Sequence, residues 1–192
     1  MTNIVTLKKA TRESLGLIGE KTVTLALLSQ KFNVPPAFII TSAATHVFLQ
    51  SVEKQWRELL KAGIDPEKYA GIAEQFQNEI LQTQIPEELK EEIHDAYFSL
   101  NIEEGQSLND LMEQGEEPVV AVRPVSIDSN GTSFSGAIFG VQGMKAVEQA
   151  IISCLASLYS AEFLESRVQT KNDQRNSANF AIIIQRMIDT AA

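Results

Sequence analysis

A single cysteine among 192 residues excludes an internal disulfide. No Cys/His spacing fits a zinc site either, so the sequence predicts a chain suited to a reducing cytoplasm. Long apolar runs are missing. No stretch of about 18 apolar residues occurs, and the opening MTNIVTLKKATRES lacks the apolar centre of a signal peptide. The chain therefore reads as soluble, with no membrane partner. Positive charge is also scarce: 16 Lys and Arg stand against 25 Asp and Glu, a net charge of −9. That excludes general binding to nucleic acid or anionic lipid, which rests on lysine and arginine meeting phosphate. Internal repeats and low-complexity tracts are absent.

What is present is an ordinary globular composition, 44% hydrophobic and 21% charged, in a length that suits one compact unit over 1–192. The charge is unevenly placed. Residues 1–52 hold five Lys/Arg and two Asp/Glu, residues 53–117 hold five and seventeen, and residues 118–192 hold six of each. The two ends can accept a small polyanion such as a nucleotide, while the central block reads as a solvated acidic face.

Periodicity gives a coarse order of elements. A loop with Gly16 and Gly19 leads into a helix over 22–32, closed by a left-handed Asn33 and stopped by Pro35 and Pro36. Ala37 to Ile40 is a short buried strand, and Thr41 or Ser42 caps a helix to about Leu49. Further helices are predicted over 51–62, over 66–84 with Pro66 in the first turn, and after Pro86, where Ile85, Leu89, Ile93 and Tyr97 form one stripe. Val119 to Val122 is a β-run ending at Arg123, and a polar loop runs from Pro124 to Gly136. A strand near 135–141, helices over 144–159 and 161–168, a polar turn over 172–177 and a strand over 180–188 follow. The class is α+β, with sheet-forming parts over about 15–41 and 118–192 and a helical, acidic segment over about 42–117.

Two places can hold an anion. Gly16 to Lys21 sets flexible backbone and a lysine ahead of a helix start, where free N–H groups and the helix dipole favour negative charge. An ordinary capped turn accounts for the same residues, and the spacing is not that of a Walker A loop. Arg123, at the end of an apolar strand, can meet a phosphate with two parallel bonds or serve structure alone. The loop residues Ser126, Ser129, Gly131, Ser133 and Gly136 can close over such a group with hydroxyls and amides. His46 and His94 have no companions at ligand spacing. Cys154 sits on an apolar helix face and reads as a packed thiol. No nucleophile and base can be paired, so no catalytic residue is assigned.

Six segments in order, Ile18-Gly19-Glu20-Lys21, Val34-Pro35-Pro36-Ala37-Phe38-Ile39-Ile40-Thr41, Ala121-Val122-Arg123, Ser133-Phe134-Ser135-Gly136, Cys154-Leu155-Ala156-Ser157-Leu158-Tyr159 and Gln185-Arg186-Met187, resemble the N-terminal ATP-binding domain of the phosphoenolpyruvate synthase and pyruvate phosphate dikinase family. The resemblance implies an ATP-grasp-like subdomain with a mixed sheet and an inserted helical segment. It implies that ATP, with Mg²⁺, is gripped through its phosphates, and that a phosphoryl group passes to a histidine on another domain. By position, Lys21 and Arg123 resemble the family's phosphate-binding lysine and arginine, and Ser126 to Gly136 its phosphate loop. The remaining dikinase domains, or a partner chain, would supply the metal carboxylates and the phosphohistidine, so the 192 residues alone would not turn over. Three features depart from the family pattern: Pro124-Val125 stand for Ser-Ser with no recognisable Glu-Asp pair in the loop, Glu20 stands for a glycine, and the family's second subdomain does not follow Gln185-Arg186-Met187 in these residues. The altered loop and the missing subdomain support a second reading, a non-catalytic binding or interaction module that keeps the fold and covers its unpaired surface by self-association or with a partner.

Overall fold

The computed structural model describes residues 2–101, 117–127, 136–169 and 179–188. Five strands among them, β1 (Ile4–Thr6), β2 (Ala37–Ile40), β3 (Val120–Ser126), β4 (Ile138–Val141) and β5 (Phe180–Arg186), form one sheet in the order β1-β2-β5-β3-β4. Seven helices accompany them: α1 (Leu15–Ile18), α2 (Glu20–Ser29), α3 (Ser42–Ala62), α4 (Tyr69–Leu81), α5 (Glu87–Phe98), α6 (Met144–Ser157) and α7 (Ala161–Gln169). The class is α+β, as the sequence indicates. All four strand pairings are antiparallel rather than mixed. No two neighbouring strands are joined by a crossover that returns the chain in the same sense.

Strand alternation divides the core in two. Phe38, Ile40, Val120, Val122, Ile182 and Ile184 point to one face, where α3 to α7 pack over them. Ala37, Ile39, Val125, Ala181 and Ile183 point to the other, where Ile18 of α1 and Val23 and Ala26 of α2 close a smaller core. A strand buried on both faces reads as an unbroken apolar run. Ala37-Phe38-Ile39-Ile40 is such a run, and all four residues are buried.

Several boundaries differ from the sequence reading, each for a local reason. One helix, α3, replaces the two expected over 42–49 and 51–62: Gln50 and Ser51 are exposed, while Phe48, Leu49, Val52 and Trp56 keep a continuous buried stripe. Thr41 caps it, its hydroxyl accepting from the Ala44 amide at 3.3 Å. Asn33 is not left-handed, since no described residue other than glycine has positive φ. The strand β3 runs through Pro124 to Ser126 instead of ending at Arg123. Ile127 donates to Asn179 and Val119 accepts from Met187, so the odd-numbered residues of β3 bond to β5. The missing N–H of Pro124 therefore faces the β4 side, beyond the last β3–β4 pair at Val122 and Ile138. The turn expected over 172–177 lies outside the described residues.

The acidic central block is not uniformly wet. Glu53, its first residue, is fully buried on α3. It receives both ends of the Arg167 guanidinium from α7, each bond 2.9 Å, and the Tyr159 hydroxyl at 2.6 Å. Trp56 and Phe163 lie against the same guanidinium, at 5.2 and 5.5 Å from their ring centres. The Phe76 ring meets Trp56 and Tyr159 edge to face. This cluster joins α3, α4 and α7.

Cys154 is buried on α6, as its apolar neighbours suggest. Burial pushes its thiol from 9.0 up to about 12. The folded state thus holds the proton more tightly than the unfolded chain. Its stabilising effect is complete below pH 9 and is lost as pH rises towards 12, at about 1.4 kcal/mol per pH unit. Urea unfolding midpoints measured from pH 8 to pH 10.5 are expected to fall above pH 9, and Cys154→Ala is expected to flatten the first part of that fall. An equal slope in both proteins would remove the thiol as its cause.

Candidate functional site

The helix α2 begins at Gly19, whose backbone at φ 79° and ψ 159° is open to glycine and strained for other residues. Gly19 itself has no side chain with which to cap this end. The amides of Glu20, Lys21 and Thr22 form its first turn, where an α-helix has no internal acceptors for its N–H groups. Lys21 and Glu20 are exposed. Thr22 is buried, and its hydroxyl has no hydrogen-bond partner among the described residues. First-turn amides without internal acceptors, with a lysine beside them, are the parts of an anion site.

This turn is pressed against the end of β3. A Cβ built on Gly19 would lie 2.7 Å from the Ser126 carbonyl oxygen and 3.0 Å from Cγ1 of Val125. Gly19→Ala combines a left-handed alanine with a clash against backbone, and is expected to cost about 2–3 kcal/mol. Chemical denaturation checks this. A loss below about 0.5 kcal/mol would show that the contact yields easily.

Arg123 lies in the middle of β3, paired with Ile183 of β5. It is thus carried by an interior strand rather than a sheet edge. It shares the parity of Val125, so it leaves the sheet on the α2 face, the face that also carries Lys21. Its guanidinium is half-buried. Nη2 donates to the side-chain oxygen of Gln185, and Nε is buried with no partner among the described residues. Gln185 in turn donates to the Pro35 carbonyl at 3.1 Å. Three of the segments singled out in the sequence, those of Arg123, Gln185 and Pro35, therefore meet in one hydrogen-bonded chain. Since Gln185 lies across from Ala121, this chain runs from Arg123 away from the Gly19 end of the face.

Of the loop residues, Ser129, Gly131 and Ser133 lie outside the described residues. Ser126 ends β3 beside Gly19. Gly136 packs elsewhere: any side chain there would collide with the Ser157 hydroxyl at the end of α6, in the helical layer on the other face. His46 and His94 sit on α3 and α5. Among the described residues no group of three or more His, Cys, Asp or Glu side chains is placed to hold a metal ion. A cavity of about 560 Å³ opens at the other end of α2, between Lys8, Phe32, Val34, Pro36, Leu100 and Arg186. It contains neither Lys21 nor Arg123. No helix among the described residues is long and apolar enough to cross a membrane.

Residues 15–192 match the family described as pyruvate phosphate dikinase, AMP/ATP-binding domain. The chain is also 28% identical over 198 residues to the phosphoenolpyruvate synthase of Aeropyrum pernix. That similarity takes in 97% of this chain but 23% of the relative, so the chain spans less than a quarter of the protein it resembles.

Proposed function

This chain belongs to the pyruvate phosphate dikinase AMP/ATP-binding domain family, and on that premise we propose that it grips the phosphates of ATP between the first turn of α2 and the Arg123 guanidinium. The observation that carries this reading is the helix start at Gly19, a residue with no capping side chain of its own, with Lys21 in its first turn, docked on the strand that carries Arg123 on the same sheet face. Backbone amides and the helix dipole supply a fixed positive end, Lys21 a mobile charge, and Arg123 a planar donor set. In the full reaction, the gripped nucleotide would give a phosphoryl group to a histidine on another domain, with an ATP-grasp-like second subdomain closing over the phosphates. The grip offered by these residues uses cations and amides alone. Positioning and charge stabilisation are what phosphoryl transfer asks of a protein. A relative that is much longer than this chain is consistent with further domains supplying the rest, whether in one polypeptide or from a partner in the cytoplasm.

One observation favours the second reading, a module that has kept the fold without nucleotide chemistry: Arg123 is already engaged by Gln185. Calorimetric titration with ATP and with adenosine separates the two. The phosphate grip requires ATP to bind and adenosine to bind at least tenfold more weakly. Equal affinity for both, or for neither, would favour the non-catalytic module.

A further inference from the structure

The bond between Arg123 and Gln185 points to a role for the glutamine that neither the family match nor the relative assigns. A glutamine side chain has two chemically opposite ends, an acceptor oxygen and a donor NH₂. The Pro35 carbonyl can only accept, so it takes the NH₂ of Gln185 at 3.1 Å and turns the oxygen towards Arg123. Gln185 is itself buried, at 8% exposure. Water therefore cannot readily replace either bond, and the orientation of the amide is fixed. The main chain holds the frame still: Ala37 pairs with Gln185 across β2 and β5, and the Arg186 amide donates to the Pro36 carbonyl at 3.0 Å.

We propose that Gln185 is a positioning residue that holds the Arg123 guanidinium, uncharged itself, in the place from which it meets a nucleotide phosphate. This rests on the reading of Arg123 as a phosphate ligand. The neutrality of the amide is the essential property. It constrains one nitrogen of the guanidinium and leaves the full positive charge for the ligand. A carboxylate in the same place would pair with Arg123 and cancel that charge, and its second oxygen would face the Pro35 carbonyl with no proton to offer. A methionine would keep the volume but let the guanidinium move.

The test is an ATP titration of the full chain in four variants: Gln185→Glu, Gln185→Met, Arg123→Ala and Gln185→Glu combined with Arg123→Ala, each checked for folding by thermal melting. Gln185→Glu is expected to weaken ATP binding more than tenfold and Gln185→Met about threefold to tenfold. In the Arg123→Ala background the glutamate should change affinity by less than twofold, because its effect passes through the arginine. A glutamate effect of equal size in both backgrounds would make Gln185 merely structural and overturn the proposal. Undiminished binding in Gln185→Glu, with Arg123→Ala still weakened, would overturn it while leaving the arginine a phosphate ligand. ATP affinity unchanged in Arg123→Ala, or no ATP binding by the parent, would remove the arginine's role and this one with it. Should Gln185→Glu fail to fold, the same comparison made with Gln185→Met in both backgrounds decides the matter.

Discussion

Glu53→Ala is expected to lower stability by about 3–5 kcal/mol, the usual cost of removing one partner from a buried ion pair. For a domain of this size that corresponds to a fall in melting temperature of roughly 10 °C or more. The reason is what the substitution leaves behind. Arg167, itself buried, would lose both 2.9 Å bonds, and Tyr159 its 2.6 Å acceptor. Nothing else near the guanidinium is anionic in the described contacts, and the Trp56 and Phe163 rings offset only part of a buried charge. The pair itself is a different quantity from the cost of breaking it. Replacing Glu53 and Arg167 together with apolar residues of similar volume should recover most of the loss. Tyr159→Phe, which leaves the ion pair whole, should cost about 1 kcal/mol. Differential scanning calorimetry of the four proteins checks all of this. A double replacement that loses at least as much as Glu53→Ala, or a Glu53→Ala melting point within about 2 °C of the parent, would show that the cluster is not a coupled buried unit.

Arg123→Ala is expected to weaken ATP binding about 10- to 100-fold, and Lys21→Ala about threefold. Both figures follow from setting. A charge-assisted bond from a half-buried guanidinium is worth about 1.5–3 kcal/mol, whereas Lys21 is exposed, and exposed ion pairs rarely exceed about 1 kcal/mol. The lysine's share should also shrink as salt is raised, and the arginine's should shrink less. Isothermal titration at low and at physiological salt measures both. An arginine variant that binds ATP like the parent would leave Arg123 as a structural tie to β5.

Much of the frame was legible in the residues. The stripe Ile85, Leu89, Ile93 and Tyr97 is buried at all four positions; for the three on α5 a four-residue step returns to one side of the helix, while Ile85 precedes it. The β-run Ala37 to Ile40 needed only its unbroken apolarity. What stayed hidden depends on register and on distance along the chain. Gln185 was visible as part of a motif, yet its bond to Arg123 exists only because β3 and β5 pair antiparallel with Ala121 opposite Gln185. No local pattern specifies that pairing across 62 positions. Glu53 looks like any acid of a solvated helix until Arg167, 114 positions later, is placed against it. Pro124 reads as a strand breaker, and is accommodated only because its nitrogen faces the side where β4 has ended. The site was half readable. Lys21 and Gly19 at a helix start are compatible by composition with an anion site and equally with an ordinary capped turn, whereas the orphan Thr22 hydroxyl and the docking of Gly19 on Ser126 are products of tertiary contact.

The joint grip of α2 and Arg123 is tested most directly by amide and arginine side-chain NMR shifts during an ATP titration. The backbone amides of Gly19, Glu20, Lys21 and Thr22 and the Arg123 Nε–H are expected to shift together, along one saturation curve, and pyrophosphate should move the same signals. Shifts confined to the cavity around Phe32, Leu100 and Arg186, with the α2 turn and Arg123 unmoved, would contradict it.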